Sequence, residues 1–114
     1  MDGIDYIEAS PTRFEVDNER GLLLLDFGTD WCGHCMAARA AVDAWTAAHP
    51  AVRHRRIQDG PGRPLGRSFK VKLWPSLVLL RDGAEIARVV RPVDARDLQP
   101  LDSAFGIAPE SQSP

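Results

Sequence analysis

Sulfur and imidazole are scarce in this chain: two cysteines and three histidines are too few, and too scattered, for a structural zinc site of four ligands. His49 and His54 lie well away from the cysteine pair. Haem attachment of the c type is excluded as well, because Met36 rather than histidine follows the second cysteine. Long apolar runs are also missing, and Leu22 to Leu25 is far too short to cross a bilayer. The opening Met1-Asp2-Gly3-Ile4-Asp5 has neither a positive region nor an apolar one, so it does not read as a secretory signal peptide, and the cytoplasm is the expected compartment. Net charge is nearly absent, at −2 with a pI near 5.9, which gives no electrostatic case for nucleic acid or an anionic membrane. The local cluster Arg53, His54, Arg55 and Arg56 reads as an edge or solvated face. No repeat of fixed period is visible. The 114 residues, 44% of them hydrophobic, suffice for one core, expected over residues 1–107, with a Pro- and Ser-rich tail over 108–114 expected to be disordered.

What the chain does have is Trp31-Cys32-Gly33-His34-Cys35, both cysteines three apart in one short motif. A disulfide needs Cα atoms roughly 4.4–6.8 Å apart, and residues i and i+3 in the first turn of a helix supply that. Leu22 to Phe27 is too continuous for an amphipathic helix and reads as a buried strand, broken by Gly28-Thr29-Asp30. From Cys35 to Trp45 strong helix formers dominate, and His49-Pro50 is a plausible stop. The pair therefore sits where strand becomes helix. Unpaired N–H groups at a helix start favour an anion, so a thiolate at Cys32 is stabilised and Cys32 is the better nucleophile. Cys35, one turn in, is expected to be buried and to attack second. Gly33 and His34 are expected to tune the couple, an imidazolium at His34 favouring the Cys32 thiolate and so the reduced form. Two inert core cysteines are the plainer alternative, but Gly33 and His34 are poor core material.

The remaining elements follow from punctuation. A short strand is expected near Tyr6-Ile7, then a helix with Ser10 as N-cap and Pro11 in its first position. Val52 to Ile57 reads as a strand and Gln58 to Arg67 as a loop, whose glycines are wrongly spaced for a phosphate cradle. Ser76 to Leu80 and Glu85 to Val90 form a hairpin about Asp82-Gly83, and Asp94 caps a final helix to about Phe105.

The stretch from about Leu22 to Phe105 resembles the thioredoxin superfamily. Besides the cysteines, Leu-Leu-Asp-Phe before the motif, Trp31 preceding Cys32, Trp74-Pro75-Ser76 with its apolar run, Arg81-Asp82-Gly83, Ile86 and Val89-Val90 fall in the family order. The resemblance implies an α/β thioredoxin fold, a central mixed β-sheet flanked by helices on both faces, with the redox pair at the start of the second helix. It implies that Cys32 attacks, that Cys35 resolves, and that Asp26 is the buried acid assisting proton transfer at Cys35. An acid that follows four leucines is independently expected in a low-dielectric setting, which suits a proton acceptor. Pro75 resembles the family's cis proline beside the disulfide, and with Trp31, Trp74 and Arg91 it would line the substrate groove. The basic residue that approaches the buried acid best corresponds to Arg55.

Three departures set the chain apart from thioredoxins proper, which usually carry an aromatic at Gly28, a proline at Ala40 and a glycine at Arg91. The Cys-Gly-His-Cys pairing is the one found in protein disulfide isomerases, so the couple should be less reducing than about −270 mV and no more oxidising than about −180 mV. A guanidinium at Arg91 biases toward acidic partners, and Trp74 puts a large ring where the family has a smaller residue. The expected function is protein-disulfide reduction or exchange by a monomer with no dissociable cofactor or metal. Its partners would be disulfide-containing proteins, with a thiol reductase or glutathione as electron donor. A disulfide oxidase or isomerase, a binding or chaperone module, and a metal carrier are the alternatives.

Overall fold

The structure is a computed structural model that describes Tyr6 and residues 10–110, of which 105–110 are described by backbone alone. Helix α1 (Arg13–Asp17) leads into strand β1 (Leu22–Gly28), and helix α2 (Gly33–Ala48) returns the chain to strand β2 (Val52–Gln58). A short helix α3 (Pro64–Ser68), strands β3 (Ser76–Arg81) and β4 (Ala84–Val90), a 3-10 turn (Ala95–Leu98) and helix α4 (Gln99–Glu110) complete it. The strands form one sheet in the order β2-β1-β3-β4, with β1 parallel to β2 and antiparallel to β3. This is the expected mixed sheet with helices on both faces.

Side chains alternate across the sheet, and each face has its own core. Leu24, Leu77 and Leu79 pack against Ala38, Val42 and Trp45 of α2 and Leu101 of α4. On the opposite face Leu23, Leu25, Phe27, Val78 and Leu80 pack with Val16 of α1 and Leu65 of α3. Both faces of β1 are therefore covered, which is why it is written as an unbroken apolar run. Burying its leucines contributes roughly 1.5–3 kcal/mol each, before the chain's ordering entropy is set against it.

Several boundaries differ from expectation. The first helix is capped by Thr12 rather than Ser10, because Thr12 and Glu15 form a reciprocal capping box that satisfies two backbone N–H groups. Tyr6 is not in a strand, and Ile7 lies outside the described residues. The loop expected over residues 58–67 contains the start of α3, with Pro64 in its first turn, where a missing N–H costs nothing. Asp94 caps the 3-10 turn, accepting from the backbone of Arg96 and Asp97, and α4 follows it directly to Glu110. Residues 108–110 are thus helical backbone, whereas the rest of the expected tail, 111–114, lies outside the described residues. The hairpin about Asp82-Gly83 stands as expected, and both residues have positive φ, 51° and 86°.

Candidate active site

Cys32 is the N-cap of α2, and its Sγ accepts the backbone N–H of Cys35 at 3.3 Å. It is half-exposed, flanked by the exposed Trp31, Gly33 and His34, while Cys35 is buried one turn into the helix. Burial, and next the hydrogen bond with Cys32, push the Cys35 thiol up to about 12. The Thr29 backbone and the Tyr6 hydroxyl pull in the other direction without offsetting this. One sulfur is thus presented to solvent at a helix N-terminus and the other is held as a thiol behind it.

Asp26 is buried at the end of β1, on the α2 face of the sheet. Its Oδ1 accepts from the Tyr6 hydroxyl at 2.7 Å and its Oδ2 from Arg56 Nε at 3.2 Å, and His54 Nε2 stands 4.0 Å from Oδ2. Arg56 is only 1% exposed and also donates to Asp43 of α2 at 3.0 Å. Burial opposes the guanidinium charge, yet Asp26 and Asp43 together hold its pKa above the ordinary value. The expected partner Arg55 is not there. Asp26 pairs with Arg56 in the parallel register, and alternation sends Arg55 to the other face, where it meets Glu19 at 3.1 Å. The basic cluster accordingly lies on the edge strand, as expected, but is not wholly solvated.

Trp74 and Pro75 directly precede β3, and the Trp74–Pro75 bond is cis. The Trp74 ring meets Trp31 edge-on at 5.9 Å, and its Nε1 donates to Asp59 Oδ2 at 2.9 Å. Arg91 has φ +55°, a conformation that favours glycine and costs another residue roughly 1–2 kcal/mol. Its backbone N–H donates to Pro75 O at 2.9 Å and its Nε to Trp74 O at 2.8 Å, so the guanidinium is fastened over this turn. Beyond Trp74 a cleft of about 570 Å³ is lined by Arg63, Arg67, Lys70 and Lys72, with Asp59 as the single acid.

Gly28 explains one departure from the family pattern. A Cβ there would stand 2.4 Å from Cys35 Sγ and 2.8 Å from Tyr6 Oη, so no aromatic fits, and Tyr6 occupies that space instead. Tyr6, Arg56 and Asp43 were not among the expected site residues. Period-2 alternation in β2 separates Arg56 from Arg55 without saying which of them faces Asp26; the signal for Tyr6 was an aromatic upstream of a glycine where the family has a ring. Among the described residues no three His, Cys, Asp or Glu side chains group as metal ligands, and no helix is long and apolar enough to cross a membrane.

Comparison with known proteins points one way. The sequence model of the Thioredoxin family matches residues 6–102. Thioredoxin from Chlamydia trachomatis is 34% identical over 95 residues, covering 82% of this chain and 92% of that protein. Its counterpart from Chlamydia muridarum is 36% identical with the same coverage of both chains, 82% and 92%. Among solved structures, reduced thioredoxin 2 from Pseudomonas aeruginosa PAO1 superposes with a TM-score of 0.82 at 50% identity, over 90% of this chain and 96% of the other.

Proposed function

Because this chain belongs to the thioredoxin family, whose members reduce protein disulfides through a cysteine pair, we propose that Cys32 is the attacking thiolate and Cys35 the resolving thiol. The observation that carries the assignment is the unequal setting of the two sulfurs, Cys32 half-exposed at the start of α2 and Cys35 buried with its pKa raised to about 12. The thiolate of Cys32 attacks a substrate disulfide, forms a mixed disulfide and expels one substrate thiolate. Cys35 gives up its proton, attacks Cys32 Sγ and releases the second substrate sulfur, leaving the Cys32–Cys35 disulfide. Asp26, buried on the same face as Cys35, receives that proton.

Trp31, Trp74, Pro75 and Arg91 form the groove beside Cys32 in which the substrate chain docks. The fastened Arg91 and the cationic cleft beyond Trp74 support a preference for acidic segments next to the target disulfide. We place the enzyme in the cytoplasm as a monomer, regenerated by a thiol reductase or by glutathione, without a dissociable cofactor. In that compartment thiols are kept reduced, which sets the flow of electrons toward substrate.

Gly33 and His34 stand between the two sulfurs, both exposed, and set the potential of the couple. Equilibration against glutathione tests the reading. The expected potential lies between about −270 and −180 mV, and His34→Pro moves it toward the lower figure. Cys32→Ser abolishes disulfide reduction, whereas Cys35→Ser accumulates the mixed disulfide. Full activity in Cys32→Ser would sink the assignment, and a wild-type potential above −180 mV would transfer the enzyme to disulfide formation or exchange.

A further inference from the structure

Resting on the proposal that Asp26 takes the proton of Cys35, we infer that the Tyr6 hydroxyl carries that proton between them. Tyr6 is 7% exposed, and its Oη donates to Asp26 Oδ1 at 2.7 Å. The same Oη and Cys35 Sγ face each other across the one small space that the missing side chain of Gly28 leaves, 2.8 and 2.4 Å from where a Cβ there would stand. Asp26 meets Tyr6 with one oxygen and Arg56 with the other, and the Tyr6 hydroxyl that it holds lies at the Gly28 gap beside Cys35 Sγ.

A hydroxyl both donates and accepts, which is the property a relay needs. The Cys35 S–H proton passes to Tyr6 Oη while the Tyr6 proton passes to Asp26 Oδ1. Cys35 becomes a thiolate, Asp26 a carboxylic acid, and Tyr6 is neutral before and after. The thiolate attacks Cys32 Sγ of the mixed disulfide, the Cys32–Cys35 bond forms, and the substrate sulfur departs as a thiolate. Two electrons pass from the dithiol to the substrate, and Asp26 later returns its proton to solvent. Burial and then the charge of Asp26 hold the phenol's own ionisation far above its ordinary range, so Tyr6 transmits a proton without standing as a phenolate.

The titratable and charged groups around this path are known. Cys35 and Asp26 meet the hydroxyl, Arg56 Cζ lies 5.9 Å from the ring, and Asp30 Oδ1 accepts the Tyr6 backbone N–H at 3.3 Å. Behind them stand Cys32 on Cys35, His54 at 4.0 Å from Asp26, and Asp43 on Arg56.

Stopped-flow reaction of the reduced protein with excess 5,5′-dithiobis(2-nitrobenzoate) separates the two steps, since one thionitrobenzoate leaves when Cys32 attacks and a second when Cys35 resolves. Tyr6→Phe keeps the ring and is expected to leave the first phase within about twofold while slowing the second by about 10²-fold near pH 7, the low end for a positioned proton-transfer group. The deficit closes as pH rises and hydroxide replaces the relay. Asp26→Asn slows the second phase similarly, and the double variant is no slower than either single one. A Tyr6→Phe second phase equal to wild type beside a slow Asp26→Asn overturns the relay alone. An unaltered Asp26→Asn, or a second phase that survives Cys35→Ser, overturns the proton path beneath it. Incorporation of 3-fluorotyrosine at the chain's single tyrosine retains the hydroxyl and the fast second phase. A slow phase there would assign the Tyr6→Phe loss to packing and overturn the relay.

Discussion

Burial separates two sulfurs that lie one helical turn apart. Cys35 is 4% exposed, and its thiol is held protonated far above neutral pH, while Cys32 faces solvent at the cap of α2. Since the thiolate is the reactive form, limited iodoacetamide near pH 7 should carbamidomethylate Cys32 and spare Cys35, as peptide mass spectrometry would show. Equal labelling of both would mean that the burial seen here does not persist in solution. Gly28 belongs to the same scale. Its lack of a Cβ lets Cys35 and Tyr6 approach each other, and the ring the family carries at that position comes here from another part of the chain.

At the scale of the element, β2 decides which of two adjacent arginines becomes part of the site. Arg56 bridges Asp26 and Asp43 in the interior, whereas Arg55 and Arg53 meet Glu19 on the opposite face. Arg56→Met strands two carboxylates without their cation and should cost about 3–5 kcal/mol, while Arg55→Met should cost no more than about 1 kcal/mol. Guanidinium denaturation midpoints of the two variants compare these losses, and similar shifts would contradict the placement. Much at this scale was legible beforehand: Leu22 to Phe27 as a covered strand, the helix after the cysteines, the hairpin at Asp82-Gly83. The choice of Arg55 over Arg56 failed because alternation fixes which residues share a face but not which face points inward. That requires the parallel register with β1, a long-range property. Tyr6 was missed for a like reason, since its contacts with Asp26 join residues twenty apart. Ser10 and Thr12 both suit a cap, and only the partner Glu15 distinguishes them.

For the molecule as a whole, the buried thiol links redox state to stability. The Cys35 pKa rises from 9.0 to about 12 on folding of the reduced protein. The unfolded chain therefore ionises first as pH climbs, and the native state, still protonated, loses stability relative to it across that interval. Below pH 9 this loss is absent; toward pH 12 it is complete. Oxidised protein has no thiol to ionise. Denaturation of both forms at pH 8 and about 11 should therefore show the advantage of the oxidised protein widening at the higher pH, and a constant difference would count against the shifted thiol.

The alternation in β2 also bears on how the chain can change length. Val52 and Arg56 lie on the α2 side because the number of residues between them is odd, and Asp26 finds a cation only while that count keeps its parity. Deleting one residue between them sets Ile57 opposite Asp26 and turns Arg56 outward, whereas deleting two returns Arg56 to the inner side one step out of place. Indels of one residue in this seven-residue strand should thus be eliminated by selection while many substitutions at Arg53 and Arg55 pass. The strand works as an odd–even check on the reading of the redox centre.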